Sequence, residues 1–370
     1  MNLQTTYLGL SLAHPVIASA SPLSATFDGI RRLEDAGAAA IVTASIYEEE
    51  VVAETAAPEA FGTIAAESNP EVTSYRPPQP GSPGTLAAHL ELIRRAAESI
   101  SVPLIASLNG ITREGWTGIA AELKAAGAAA IELDLFHLPF DPTETSAAVE
   151  RRLVETVREV CAAVDIPVAV KLFPYFTAPA HLAAALADAG ASGIVLFNRY
   201  IEPDIDLEGL NYRPSLDLST APEIRLPLMW IAMLAGNTPL SLVGGRGITG
   251  PEEVIKYLLA GADTVQTASA LMRHGPEYLG RLVEGLTEWI EARGAASVSD
   301  VRGRMRANRF AGPEAVFRAH YRRMLLFGYP PPDTELPNLK RPSRGPAMPG
   351  TRQCGVKEPS GRLPKDRPQF

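Results

Sequence analysis

Short apolar runs alternate with amphipathic stretches along most of this chain, and the alternation is regular enough to count. Eight runs, each apolar and bounded by Gly, Pro or a cap residue, read as strands: Val16–Ser21, Ala39–Ser45, Pro103–Asn109, Ala129–Phe136, Pro167–Phe173, Gly193–Asn198, Leu240–Gly245 and Asp263–Ala268. Between and after them, spacing near 3.6 residues predicts helices over 27–36, 85–100, 112–126, 143–164, 177–188, 220–235, 250–260 and 276–293. Four junctions share the tripeptide Ala-Gly-Ala, at Ala36–Ala38, Ala126–Ala128, Ala189–Ala191 and Ala260–Ala262, each between an amphipathic stretch and an apolar run. Glycine there ends a helix in the left-handed conformation, and its small neighbours let the chain turn into a buried strand. Alternation of this kind builds a parallel sheet, and eight β/α units predict an α/β fold closed as a (β/α)8 TIM barrel.

Two connections are long, and both leave the C-terminal end of a strand: residues 46–84 after strand two and 199–219 after strand six. Loops on that face of a barrel shape access to a site or make a subunit contact. Further helices are expected near 297–306 and 314–327. Residues 330–370 hold ten prolines and few aliphatic side chains. Such a segment cannot bury enough surface to offset its ordering entropy. The predicted organisation is therefore a barrel over 1–328 and a disordered, basic, Pro-rich tail over 329–370.

The 370 residues are 46% apolar and 21% charged, a soluble globular composition. The net charge of −8 divides into +4 on 330–370 and −12 on the rest, which argues against a nucleic-acid partner. Cys161 and Cys354 are too few for a disulfide framework or a metal cluster, so no metal is expected. The N-terminus lacks a basic and apolar leader, and no apolar run is long enough to span a bilayer. The expectation is a cytoplasmic protein without a membrane partner.

Chemistry is expected at the strand ends. Strand seven runs into Gly244-Gly245-Arg246-Gly247, then Pro251 opens a helix, and strand eight ends in Thr267-Ala268-Ser269. Loops after the last two barrel strands commonly build a phosphate site from backbone N–H groups and a helix start. In strand five, alternation turns Val168, Val170 and Leu172 toward the helices and Lys171 into the barrel. In strand four it turns Glu132 and Asp134 inward between Ile131, Leu133 and Leu135. Two readings stay open for Lys171: a salt bridge within the barrel, or a cation beside an electron-rich cofactor ring, and both can hold together. Ser19, Ser21, Ser107, Asn109 and Asn198 cluster at the same rim. His137 is the histidine at that rim, a candidate acid or base, although a packed histidine is the ordinary reading of such a residue.

These residues resemble the class 1 dihydroorotate dehydrogenases, FMN-dependent (β/α)8 barrels of pyrimidine synthesis, over about residues 1–295. The resemblance rests on YLGLSLAHPVIASASPLS, VAVKLFPYF and LVGGRGITGPEEVIKYLLAGADTVQTASAL followed by GPEYL. It implies FMN contacts from Ser21, Lys171, Asn198, Arg246, Gly247, Ala268 and Ser269, with Ser219, Asn109 and Thr43 as weaker candidates. It also implies a small-molecule substrate and a soluble homodimer. Any iron–sulfur centre would belong to an electron-transfer partner protein.

The departures lie at the substrate end. The family's strand-four cysteine, the base that deprotonates dihydroorotate, aligns with His137, and the asparagine that holds the substrate aligns with Pro139. The lysine after strand two aligns with Thr43-Ala44, and the family's substrate loop has no counterpart in TIAAESNPEVTSYRPP. The implied function is an FMN-dependent oxidoreductase acting on a CH–CH bond, with His137, Lys171 and Asp134 as catalytic candidates and a rewritten substrate site. The alternative is a flavin-binding paralogue without dihydroorotate activity that serves as an electron-relay or structural subunit.

Overall fold

The computed structural model of the protein describes residues 1–52, 85–110, 112–136, 139–198, 204–213, 217–309, 317–322 and 325. His137, the connection 53–84 and the residues after 325 lie outside these. Residues 1–316 form one compact unit, and 317–370 a second, in which 317–322 and 325 are helical.

The first unit is a closed parallel barrel. Its strands are β1 (Val16–Ala18), β2 (Ile41–Val42), β3 (Leu104–Asn109), β4 (Ala130–Asp134), β5 (Val168–Leu172), β6 (Gly193–Leu196), β7 (Ser241–Gly244) and β8 (Thr264–Thr267). Each pairs in parallel with the next, and β8 pairs with β1, with Gln266 opposite Ile17, so no edge is left open. After a break at 43–45 the second strand resumes as Ile46–Tyr47, which pairs with Leu108 and Asn109 of β3. The eight predicted strands are all present, each trimmed where its end becomes a loop.

The surrounding helices are α1 (Phe27–Asp35), α2 (Thr85–Ser99), α3 (Arg113–Ala125), α4 (Ser146–Ala163), α5 (Pro179–Asp188), α6 (Arg225–Leu234) and α7 (Pro251–Ala260). They are followed by a short α8 (Ser269–His274), then α9 (Tyr278–Glu291) and α10 (Val298–Val301). Their starts are written locally. Thr26, Thr112 and Thr145 accept the N–H of Gly29, Gly115 and Ala148, satisfying first-turn donors, while Pro179 and Pro251 open α5 and α7. Their ends follow the Ala-Gly-Ala pattern. Gly37, Gly127, Gly190 and Gly261 all have positive φ, and the alanine after each donates back into the helix, as Ala38 does to Leu33 and Ala262 to Tyr257.

Alternation along the strands sorts the apolar residues into two cores. Val168, Val170, Leu172, Ile131 and Leu133 pack outward under the helices. Ile17, Val42, Ile105, Ala130, Ala169, Val195 and Val243 fill the barrel's lower interior. An N-terminal hairpin, Thr5–Tyr7 against Leu10–Leu12, plugs that end with Tyr7, Leu8 and Leu12. Its turn places Leu8 and Gly9 at φ 53° and 80°, the geometry of a two-residue hairpin connection. Leu8 N–H donates to Ser241 Oγ, fastening the plug to β7. The polar residues must then gather above this apolar floor, toward the C-terminal ends of the strands.

Candidate active site

Above the plug the barrel interior turns polar. Glu132 on β4 is fully buried and Lys171 on the neighbouring β5 nearly so, and the Lys171 ammonium lies 3.1 Å from Glu132 Oε1. Gln266 on β8 donates to the other carboxylate oxygen at 2.7 Å, and Ser19 Oγ donates to Gln266 Oε1 at 3.3 Å. Desolvation alone would lower the Lys171 pKa. The negative charges of Glu132 and Asp134, with the Glu132 hydrogen bond, outweigh it and raise the pKa above its ordinary value, so the amine stays protonated.

Asp134 stands one β-repeat higher than Glu132. Asn198 Nδ2 donates to both of its oxygens, at 2.7 and 2.9 Å. Burial and then repulsion from Glu132 raise its pKa, against the opposing pull of Lys171 and Asn198. A buried carboxylate of raised pKa is a stronger base than one in water.

These groups floor a cavity of about 800 Å³ that opens at the C-terminal ends of the strands. Its floor and near wall include Ser19, Ser21, Asn109, Asp134, Lys171, Asn198 and Gln266. Its far wall is built by the ends of β7 and β8: Gly245–Ile248 and Thr267–Ser269, with Ser219 and Met272 beside them. Each predicted cofactor residue except Thr43 therefore lines one space.

Thr43 does not line it. Val42 faces the interior, so the next residue faces outward, and the fully buried Thr43 hydroxyl accepts the Ser107 N–H at 3.1 Å. It ties β2 to β3. Ser107 is also buried, its hydroxyl 2.7 Å from that of Ser45.

The β7 loop is fixed from several sides. Gly247 has φ +74°, and a Cβ there would meet Ile224 N at 2.5 Å. Tyr257 from α7 donates to Arg246 O at 2.6 Å, and Tyr278 from α9 to Thr249 O at 3.1 Å. Glu253 accepts from Gly250 N–H at 3.0 Å and Thr249 Oγ1 at 3.1 Å, closing the first turn of α7. The Arg246 guanidinium is held by Glu223, at 2.7 Å from Nε and 2.6 Å from Nη2. On the β8 side, Ser269 Oγ accepts the Ser219 N–H at 3.0 Å, which leaves its O–H as a donor. Ser269 also opens α8, whose first-turn amides have no partner within the helix.

Among the lining residues outside the predicted site set, four from the rim after β2 and β4 matter most. Ala44, Tyr47 and Glu49 come from the end of the second strand and the segment after it, and Phe136 follows β4. Phe136 packs edge-on against Phe173, with centroids 5.3 Å apart and planes at 75°. Tyr47 is held in place by its neighbour. The buried Glu48 accepts from the Thr112 N–H at 2.7 Å and from its hydroxyl, at the start of α3. Among the described residues no group of three or more His, Cys, Asp or Glu is placed to hold a metal ion. No described helix is long and apolar enough to cross a membrane.

A family model described as dihydroorotate dehydrogenase matches residues 2–290. The chain belongs to the dihydroorotate dehydrogenase family. It is 26% identical over 318 residues to a protein of Methanothermobacter thermautotrophicus named dihydroorotate dehydrogenase B (NAD(+)), catalytic subunit, a match covering 81% of this chain and 97% of that one. It is 28% identical over 319 residues to the protein of the same name from Pyrococcus furiosus, covering 82% and 98%. It is 27% identical over 316 residues to dihydroorotate dehydrogenase A (fumarate) of Lactobacillus delbrueckii subsp. bulgaricus, covering 81% and 97%. Membership in a dehydrogenase family makes oxidoreductase chemistry on a small molecule the reading to test at this cavity.

Proposed function

We propose that this member of the dihydroorotate dehydrogenase family is an FMN-dependent oxidoreductase acting on a CH–CH bond, with a substrate site rewritten from that of its relatives. The observation that carries the reading is Lys171, a buried cation at the floor of a cavity whose far wall suits a phosphate.

The donors present fit the group. Gly245 and Gly247 keep the β7 loop free of side-chain bulk, Ser269 offers a hydroxyl, and the start of α8 offers amides to an anion. Lys171 would face the flavin ring, where a protonated amine favours the reduced, anionic form. Bound FMN supplies a hydride acceptor.

The protein must supply the rest: hold the substrate against the ring, exclude water, and take the second proton. Asp134 is the described group suited to that last task, being buried, ionisable and of raised pKa. His137, the family-aligned candidate, lies outside the described residues. A histidine base would make turnover fall below neutral pH.

The test is direct. The purified protein should be yellow, release FMN on denaturation, and bleach on anaerobic mixing with dihydroorotate or a related saturated ring. Lys171→Ala should lower FMN affinity at least tenfold. A colourless protein that refuses added FMN would sink the flavin assignment. The second reading, an FMN-holding relay or structural subunit, is favoured by the commitment of Lys171 to Glu132 at 3.1 Å. It predicts a yellow protein that no such donor bleaches.

A further inference from the structure

The cations around the cavity are already paired. Two cationic side chains line it among the described residues, Lys171 and Arg246. Lys171 is bound to Glu132 at 3.1 Å and Arg246 to Glu223 at 2.6 Å. Two further acids line the cavity, Asp134 on the floor and Glu49 on the wall after the second strand. Counting the partners, four carboxylates face two cations. The described start of the connection that leaves this rim, residues 46–52, carries Glu48, Glu49 and Glu50 and no Lys or Arg. A carboxylate ligand entering here would meet no uncommitted cation among the described residues and would lie near the Asp134 carboxyl group. Desolvating an anion without a counter-charge is costly.

The same wall carries groups that suit a different molecule. Tyr47 and Phe136 present aromatic surface, and Phe136 is held edge-on by Phe173. Asp134 offers carboxylate oxygens to N–H donors, fixed in orientation by the Asn198 amide. Glu48, anchored on Thr112 at the start of α3, fixes the segment that carries Tyr47 and Glu49. Flat aromatic faces with an acceptor beside them suit a planar ring bearing N–H groups.

We propose that this cavity selects an uncharged, planar, N–H-bearing ring and rejects the corresponding carboxylate anion, with Asp134 and Glu49 as the discriminating residues. The proposal rests on the oxidoreductase reading only in placing the substrate in this cavity.

The test uses a matched pair, uracil and orotate, the same ring without and with a carboxylate. Each is titrated into the FMN-loaded full chain by calorimetry and by perturbation of the flavin spectrum. Uracil should bind at least tenfold more tightly than orotate. Raising the salt concentration should narrow the gap, because charge repulsion is screened. Glu49→Gln combined with Asp134→Asn should narrow it about tenfold, with thermal unfolding confirming that the variant is folded. Orotate binding as tightly as uracil, a gap unmoved by salt and by the variant, or binding of neither ring would each overturn the proposal. A chain that takes up no FMN refutes the flavin reading instead, and calorimetry on that chain still decides the selectivity.

Discussion

Replacing Glu132 by leucine tests whether the polar layer in mid-barrel is held by one charge pair. Glu132 is fully buried and accepts from Lys171 at 3.1 Å and from Gln266 at 2.7 Å, so Glu132→Leu strands a buried ammonium and a buried amide together. Breaking a buried pair by removing one partner costs about 3–5 kcal/mol. For a unit of this size each kcal/mol is worth roughly 2 °C in Tm, so the fall should be about 6–10 °C. Lys171→Met should cost a similar amount by stranding the carboxylate. The double variant removes both charges and leaves Gln266 short of one acceptor, a residual of about 1 kcal/mol. Chemical denaturation of the four proteins then gives a coupling energy of about 5–9 kcal/mol, the two single losses less the loss in the double variant. Alkaline unfolding adds a check on sign. Lys171 has a raised pKa, so its contribution is complete below the ordinary value of 10.5 and is lost as pH rises through the folded value. That alkaline loss should be weaker in Glu132→Leu. A single variant within about 1 kcal/mol of the wild type, or a coupling energy near zero, would refute the reasoning.

Other positions give sharp expectations. At Gly115 a Cβ would fall 2.1 Å from the Glu48 carboxyl carbon, so Gly115→Ala should expel Glu48 from the start of α3. The expected cost is about 1–3 kcal/mol by denaturant titration, with weakened ligand binding at Tyr47 as a second readout. Gly247→Ala combines a positive φ with a Cβ 2.5 Å from Ile224 N. It should cost about 2–3 kcal/mol and lower FMN affinity; an unchanged midpoint and affinity would show the loop is not constrained as described. Asp134→Asn should raise stability at neutral pH. Its raised folded pKa means the protonated carboxyl favours folding, a contribution present below the ordinary value of 3.8 and lost as pH rises through the folded value. The gain over wild type should therefore vanish in acid, and a pH-independent difference would contradict it.

Much of this was legible in the chain because alternation is strict inside a barrel. Lys171, Glu132 and Asp134 were assigned inward by parity alone, and the outward set Val168, Val170 and Leu172 followed from the same rule. Parity also disposes of Thr43, whose inward neighbour Val42 turns it onto the β2–β3 seam. What stayed hidden depends on tertiary pairing. The Arg246 partner, Glu223, sits in a turn 23 residues earlier with no spacing to betray it. Tyr47 and Glu49 follow a break in the second strand, so no continuous pattern assigned them a face. The N-terminal hairpin turns on Leu8-Gly9 rather than on Asn-Gly, and its strands are three residues each, too short for periodicity to register.

The two ends of the cavity are built from different parts of the chain, and that bears on how its chemistry can change. The wall after β7 and β8 is set by backbone: the left-handed Gly247, carbonyls gripped by Tyr257 and Tyr278, and the opening turn of α8. Substituting a neighbouring side chain leaves those amides where they are. The opposite wall is set by side chains alone: Tyr47, Glu49, Asp134 and Phe136. Each can be exchanged without moving the strand beneath it, because the apolar plug and the Glu132–Lys171–Gln266 layer hold the barrel below. On the proposed flavin reading, a barrel of this design can keep the wall after β7 and β8 while the opposite wall changes charge. Gly245, Gly247 and Ser269 face one side of this cavity, and Tyr47, Glu49, Asp134 and Phe136 face the other.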